Sequence, residues 1–467
     1  MYQLPQNINK DKIFIVKKSE INSRLDPKMA LYNQSVQHSL YPLVKLKSLL
    51  LSKPQYGANE AGLVREHKEQ ARYIRITDID ENGLISHDEL GATVANIDDK
   101  YILNENDIVI ARSGATVGKA YIHKQLPYKC VYAGYLIRFV VDSEKILPDY
   151  LFAYTQLSPY KEWVNAIQRP SAQPNINAEE YQSLEIPLPN LNKQQEIVEY
   201  INTAYVQKRA KEAEAQQLLD SIDGYLLKEL GITMPEIKTE IGNRMFVVQR
   251  RELKGRYTPS LYKDPISLHS TIYENMPLSH LAYINPNTRF PYQDKEMLIS
   301  FVPMEAVNEI YAEINGNNDC PIAETKGFTR FQEGDLLWAK ITPCMENGKS
   351  AVAKGLTNGY GCGSTEFHVI RPKNDDVLVE YIHSLLHMKL VRQTAKLYFG
   401  GSAGQQRVAT DFLEDFNVPL PSKRKQQEIV NYIEGIRIQA KTLREEGNII
   451  LDNAKRKVEQ MIIGESM

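Results

Sequence analysis

No stretch of this chain approaches the ~18 consecutive apolar residues that a membrane span requires, so no membrane association is expected. The opening residues, Met1 to Asn7, lack the basic-then-apolar layout of a secretory signal. Cysteine is scarce: Cys130, Cys320, Cys344 and Cys362 show no metal-ligand spacing. A disulfide framework is implausible in so long a chain, and a reducing cytoplasm is the natural setting. An excess of basic charge is also missing. With 56 Lys and Arg against 58 Asp and Glu the formal net charge is -2. That counts mildly against a nucleic-acid partner unless basic groups are gathered on one local face.

Catalytic signatures are absent as well. Gly114-Ala115-Thr116-Val117-Gly118-Lys119-Ala120 resembles a phosphate loop, but it is one residue short and lacks the Ser or Thr that would hold magnesium. Gly348-Lys349-Ser350 has the tail of that motif and Pro343 where its first glycine belongs. No ATP site is expected, although a nucleotide-dependent enzyme using Lys119 or Lys349 is the alternative from another class. Glu324-Thr325-Lys326 has the shape of a nuclease metal site, yet the nearest preceding acid, Asp319, is too close in sequence to complete it. There is no Asn-Pro-Pro-aromatic or Asp-Pro-Pro-Tyr stretch for amino methylation. The 9 histidines form no constellation with serine, cysteine or acid. The reading is a chain with no catalytic residues, no metal and no cofactor of its own.

What the chain does have is itself, twice. Residues Pro187 to Ile201 return as Pro419 to Ile433, identical at 11 of 15 positions and 232 residues later. The same offset relates Phe14, Val16, Glu20, Arg24 and Pro27 to Phe246, Val248, Glu252, Arg256 and Pro259. Two copies are too few for a solenoid. They suit a fold with internal pseudo-two-fold symmetry, and duplex DNA is the commonest partner of that kind.

Each copy opens on a strand-like run, Phe14 to Val16 or Met245 to Val248. Further β-rich stretches follow: 73–79, 107–112 and 135–141 in the first copy, and 298–302, 335–340 and 367–370 in the second. A helix is then expected from about Asp149 to Ile167 and from about Val379 to Leu397. Strands precede helices instead of alternating with them, which predicts an α+β domain. Each copy ends in a long helix, with Asn190 and Ser422 as N-cap residues. Apolar positions recur at alternating 4- and 3-residue steps: Ile197, Ile201, Ala204, Ala215, Leu218, Ile222 and Tyr225, then Ile429, Ile433, Ile436, Ala440, Leu443, Ile450 and Ala454. That is a coiled-coil seam. Its middle is weak, with Lys208 and Lys211 in one helix and Gly447 in the other. A run of ~38 residues spans ~57 Å. Two unrelated surface helices are the plain alternative; the shared sequence favours antiparallel pairing.

The candidate binding residues lie in loops at corresponding places. One pair is 168–175, with Arg169, Gln173 and Asn175, and 398–407, with Tyr398, Ser402, Gln405, Gln406 and Arg407. The forked donors and acceptors of Arg, Gln and Asn match base edges. The other pair is the turn from Arg112 to Lys119, with Ser113 and Thr116, and its analogue with Lys340, Thr342 and Lys349, offering backbone and lysine contacts to phosphate. A solvated turn is the ordinary reading of either loop alone. Recurrence in both copies adds weight.

These residues resemble the specificity subunits of type I restriction-modification systems. The resemblance covers essentially the whole chain. It is carried most strongly by the repeated Pro-Leu-Pro-x4-Gln-Gln-Glu-Ile-Val with its helix and by the segment from Gly334 to Lys349, and more weakly by Tyr73 to Asp80 and Phe301 to Met304. It implies two target-recognition domains, here 1–186 and 236–418, separated by helical spacers, 187–235 and 419–467, that form an antiparallel coiled coil. Each domain would read one half of a split, asymmetric target in double-stranded DNA. The resemblance also implies two methyltransferase subunits docked on the helical regions, for which Gln194, Gln195, Gln426 and Gln427 are the candidates, and restriction subunits besides. Those partners would hold S-adenosylmethionine, ATP and magnesium. The alternative is the recognition subunit of a bifunctional enzyme in which nuclease and methyltransferase share one partner chain.

Overall fold

A computed structural model describes residues 28–29, 32, 39–85, 90–168, 174–232, 268–291, 295–316, 318–401 and 406–464. The strand-like runs at 14–16 and 245–248 lie outside the described residues. The chain forms two compact units, one of residues 1–210 with 446–467, the other of residues 211–445. Each boundary falls inside a long helix.

In the first unit a four-stranded antiparallel sheet runs in the order Gln55–Tyr56, Leu136–Phe139, Ile108–Ala111, Ala120–Ile122. A second sheet has the order Leu63–Val64, Ala92–Thr93, Arg72–Ile74, Cys130–Tyr132, and its last two strands are parallel. The strand Ile108–Ala111 is buried on both faces. Ile108 and Ile110 join the core beneath the helices, while Val109 and Ala111 face a separate cluster with Ile74 and Tyr132. That double burial is why the strand is apolar without alternation. The second unit repeats the first sheet as Ala282–Ile284, Phe367–Pro372, Leu336–Ala339, Ser350–Val352. Its Leu336 and Trp338 face one cluster and Leu337 the other. The second sheet differs: the parallel pair Leu298–Val302 and Tyr360–Gly363 is kept, but it is flanked by Asn318–Pro321 and Thr329–Gln332.

Three expectations need correction. The run 73–79 is a strand only over Arg72–Ile74; the Arg75–Asp78 ion pair at 3.0 Å closes a 3-10 turn at Ile76–Asp78. The single helix expected over 149–167 is two, Pro148–Thr155 and Ser158–Ile167. Pro159 opens the second, because it has no N–H and its ring collides with the preceding turn. The corresponding helix of the second unit is likewise split, into Val379–His387 and Lys389–Ala395, without a proline to announce it.

The long helices are Leu191–Glu229 and Lys423–Ile463. Asn190 Oδ1 accepts the N–H of Lys193 at 2.9 Å and Ser422 Oγ that of Lys425 at 3.4 Å, so both serve as N-caps. Within the second unit the pairing is antiparallel. Glu229 meets Lys425, Tyr225 stacks on Tyr432 at 4.0 Å, and Gln216 meets Arg444 at 3.1 Å, one number falling as the other rises. Within the first unit Ile197, Ile201 and Ala204 share a core with Leu451, Ala454, Val458 and Ile462. Leu451 is buried there, whereas the expected seam residue Ile450 is only partly covered; a 3.6-residue turn drifts off a strict 3.5 repeat. The middle of the seam is a close approach. Gly447 is buried, and a Cβ there would stand 3.5 Å from the backbone of Lys208.

The repeated Pro-Leu-Pro-x4-Gln-Gln segment proves to be a clamp. Gln194 is wholly buried: its Oε1 accepts the N–H of Leu147 at 2.8 Å, and its Nε2 donates to Pro189 O at 2.9 Å and Lys145 O at 3.2 Å. Gln426, equally buried, does the same with Leu378, Pro421 and Asp376 at 2.9, 3.0 and 3.0 Å. The hydroxyls of Tyr150 and Tyr381 donate to Pro187 O and Pro419 O at 2.6 and 2.7 Å. Gln194 and Gln426 are therefore not surface residues that a partner could touch, contrary to the sequence-based expectation. Their neighbours Gln195 and Gln427 are exposed and bond only along the helix, to Glu199 and Asn431.

Removing the clamp strands buried backbone groups. Gln194→Ala or Gln426→Ala is expected to destabilise its own unit by about 1–3 kcal/mol. Replacement by Glu, which keeps the acceptor and loses the donor, should be no milder. Urea unfolding of the full chain measures this; a change under about 0.5 kcal/mol, typical of a surface position, would contradict it.

Candidate functional site

In the first unit, strand Ile108–Ala111 runs into the turn from Arg112 to Lys119. Gly114 and Gly118 take φ of 81 and 88, a region that side chains avoid, and the turn closes through Gly118 N to Ala111 O at 2.9 Å. The chain segment that ends the 168–175 loop returns onto this turn. Gly114 N donates to Pro174 O at 3.0 Å, and Ile176 N to Arg112 O at 2.9 Å, leaving Ser113 opposite Asn175. The two loops are thus one site. An open cleft of ≈ 450 Å³ lies there, lined by Arg112, Ser113 and Asn175 together with Tyr56, Asn59 and Tyr135. The Arg112 guanidinium lies 4.8 Å from the centre of the Tyr56 ring, and the Tyr135 side is 62% exposed. Sequence reasoning missed Tyr56, Asn59 and Tyr135. A bulky aromatic left outside at the head of the apolar strand Leu136–Phe139 was the available signal.

The second unit repeats the juxtaposition. Thr342 N donates to Gln406 O at 3.0 Å and Val408 N to Lys340 O at 2.9 Å, with Ile341 opposite Arg407. Its turn differs in holding a short helix, Cys344–Asn347, closed by Gly348. A cleft of ≈ 380 Å³ is lined by Lys340, Asn287, Thr288, Phe328, Arg330 and Thr410. Phe328 is 41% exposed. His368, at the floor, is held below the usual histidine range by burial; its Nε2 sits 3.0 Å from Val408 O and so carries the proton. Arg169, Gln173, Ser402 and Gln405 lie outside the described residues.

Four of the sequence candidates have internal employment. The Lys119 amine donates to Ile79 O, and the Lys349 amine donates to Val307 O at 2.8 Å and Met304 O at 3.3 Å, with Glu309 3.3 Å away. Each lysine ties the turn of one sheet to the end of a 3-10 turn of the other. These positions correspond in the two units, so the shared lysine reads as a structural tie and not as an outward phosphate contact. Arg407 is held by Glu366 through two bonds of 2.8 and 2.7 Å, the fork that would otherwise read a base edge. The same contact keeps the Glu366 carboxyl below the usual carboxylate range. Tyr398 packs its ring 5.1 Å from Phe412. Arg112, Ser113, Asn175, Lys340, Thr342 and Gln406 stay at or beside the clefts; Thr116 is half-buried within its turn. Among the described residues no three or more His, Cys, Asp or Glu are grouped to hold a metal ion, and no helix is long and apolar enough to cross a membrane.

The family model for the type I restriction modification DNA specificity domain matches this chain twice, over residues 62–219 and 275–446, the first beginning after strand Gln55–Tyr56 and both running on into the following long helix. The chain belongs to that family. It is 35% identical over 196 residues to the specificity subunit of the type I restriction enzyme EcoEI from Escherichia coli, 41% of this chain and 32% of that protein. To the EcoAI specificity subunit, also from Escherichia coli, it is 38% identical over 159 residues, 33% of this chain and 26% of the other. The matches thus span about a third or less of the length of these relatives. Among solved structures, the S subunit of a type I restriction-modification system from M. genitalium is 11% identical with a TM-score of 0.41, over 92% of this chain and 98% of that one.

If Lys119 and Lys349 are ties, Lys119→Met and Lys349→Met should lower stability by about 1.5–3 kcal/mol, the range for bonds from charged groups. The salt dependence of DNA binding should stay as it was. A variant of unchanged stability whose salt slope falls by about 1 would mark the lysine as a phosphate contact instead.

Proposed function

We propose that this chain is the DNA-reading specificity subunit of a type I restriction-modification complex. The observation that carries the reading is the double occurrence: the DNA specificity family matches once on each unit, and each unit joins the same two loops beside a cleft. Each globular region, 1–186 and 236–418, reads one half of a bipartite target, with 187–235 and 419–467 as the helical spacer. Arg112 and Asn175 in one cleft, and Lys340 in the other with Gln406 beside it, supply donors and acceptors suited to base edges and phosphates. The exposed Tyr135 and Phe328 offer flat apolar faces beside them. The second sheet, whose strand order differs between the units, sets the two clefts apart, as reading two different half-sites would require.

The chain itself is non-catalytic in this reading. Methyltransferase subunits supply S-adenosylmethionine, restriction subunits supply ATP-dependent cleavage, and two methyltransferases dock on the exposed faces around Gln195 and Gln427. Because the exposed Gln195, Glu196 and Tyr200 recur as Gln427, Glu428 and Tyr432, native mass measurement of the reconstituted methylating complex is expected to give two methyltransferase chains per copy of this one. A fully active one-to-one complex would contradict that.

Independence of the two halves is tested by transplanting residues 1–186 from a relative of different specificity. Sequencing of methylated genomic DNA should show one half of the target changed and the other retained. A change in both halves, or in neither, would contradict the assignment of one half-site to each unit.

A further inference from the structure

Arg112 is held in place before any ligand arrives. Its backbone is fixed on both sides: the N–H donates to Tyr135 O at 2.9 Å, and the carbonyl accepts the N–H of Ile176 at 2.9 Å. Its guanidinium lies 4.8 Å from the centre of the Tyr56 ring, within cation–π distance. That ring is fixed in turn. Tyr56 stands on its strand opposite Ile137, and its hydroxyl accepts the N–H of Ala178 at 3.1 Å. Beside it the backbone is closely packed, since a Cβ on Gly57 would stand 2.3 Å from Ala133 O. A stacked guanidinium keeps its plane, so less rotamer freedom is lost when it binds.

The edge it offers is also defined. Arg112 is partly exposed and lines the cleft, but its Nε is shut off from solvent and has no hydrogen-bond partner among the described residues. The end-on pair, Nη1 and Nη2, is what remains to meet a ligand. No carboxylate lines the cleft, and Arg112 is the one charged residue among the described residues that do. Surfaces that hold phosphate gather several cations. A lone cation beside the exposed carboxamides of Asn59 and Asn175 suits a neutral base edge instead. Two parallel N–H donors need two acceptors side by side. In the major groove guanine presents O6 and N7 together, adenine an acceptor with a donor, thymine one acceptor and cytosine a donor. Only guanine satisfies the pair.

The second unit does not repeat this device. Strands Ile108–Ala111 and Leu336–Ala339 correspond, yet the residue that follows is Arg112 in one and Lys340 in the other. Lysine is a point charge without a fork. A phosphate contact common to both half-sites is served by either cation, whereas a ring-backed fork answers to one half-site alone.

We infer that Arg112 reads a guanine in the first half-site through Nη1 and Nη2, and that Tyr56 is the residue that positions it. The inference rests on the DNA-reading assignment and narrows it to one base.

The test is base-resolution mapping of DNA methylation in cells that carry the partner genes and one variant of the full chain at a time. The half-site altered by transplanting residues 1–186 is expected to contain an invariant G·C pair. Arg112→Lys keeps the charge and loses the fork. Methylation of sites with another pair at that position should then rise ~10-fold relative to G·C, the discrimination of a bidentate contact. The other positions of that half and the whole second half should stay as they were. Tyr56→Leu should relax the same position, and Tyr56→Phe, which keeps the ring, should retain it. A first half without an invariant G·C pair overturns the inference. So does an unchanged target under Arg112→Lys, as a phosphate contact would give, or uniform loss at every site while the variant still co-purifies with its partners. Strict reading of the pair under Tyr56→Leu overturns the positioning role. Failure of the DNA-reading assignment itself looks different, because deleting the gene would then leave methylation in place.

Discussion

One buried carboxamide at the first turn of each long helix holds its unit together. Gln194 and Gln426 each bind a backbone N–H at the start of a short helix and carbonyls on either side of it, so that helix, strand end and spacer meet at a single side chain. A carboxamide is suited to this because it accepts and donates at once and carries no charge to desolvate. Tyr150 and Tyr381 reinforce the same junction from the other side. The joint fastens the first turn of each long helix to the start of the short helix beside it. It explains why the chain repeats Pro-Leu-Pro-x4-Gln-Gln so closely while the sheets differ: both joints solve one geometric problem.

From the joint outward the constraints loosen. The strands Ile108–Ala111 and Leu336–Ala339 are pinned on both faces, and both end at a turn onto which a later segment folds back. The lysine ties keep that turn against the second sheet. Beyond them the second sheet changes its flanking strands, the turn gains a short helix in one unit, and the cleft walls differ. A scaffold with a fixed joint and variable walls suits the proposed reading of two unlike half-sites.

Much of this was written locally and could be read from sequence. The duplication, the strands within 107–112 and 335–340, the N-caps at Asn190 and Ser422 and the paired seam each rest on patterns legible in the chain itself. Failures came where a side chain finds a distant partner. Gln194 looks like an outward polar residue until Leu147, 47 positions away, is placed against it. Lys119 looks free until it meets Ile79, and Arg407 until it meets Glu366, separations of 40 and 41 residues. Gly447 looks like a flaw in the seam, yet a Cβ there would stand 3.5 Å from the backbone of Lys208. Of the candidate site, the sequence marked the turns and missed the aromatic walls, because Tyr56 and Tyr135 reach the cleft only through the sheet's own pairing.

The central claim is that this chain alone confers the DNA specificity of a methylating complex. Base-resolution mapping of DNA methylation in cells with and without this gene tests it most directly, with the partner genes left in place. The account predicts a single split, asymmetric target whose two halves lose methylation together when the gene is removed. Methylation that persists at the same target in its absence would contradict the account.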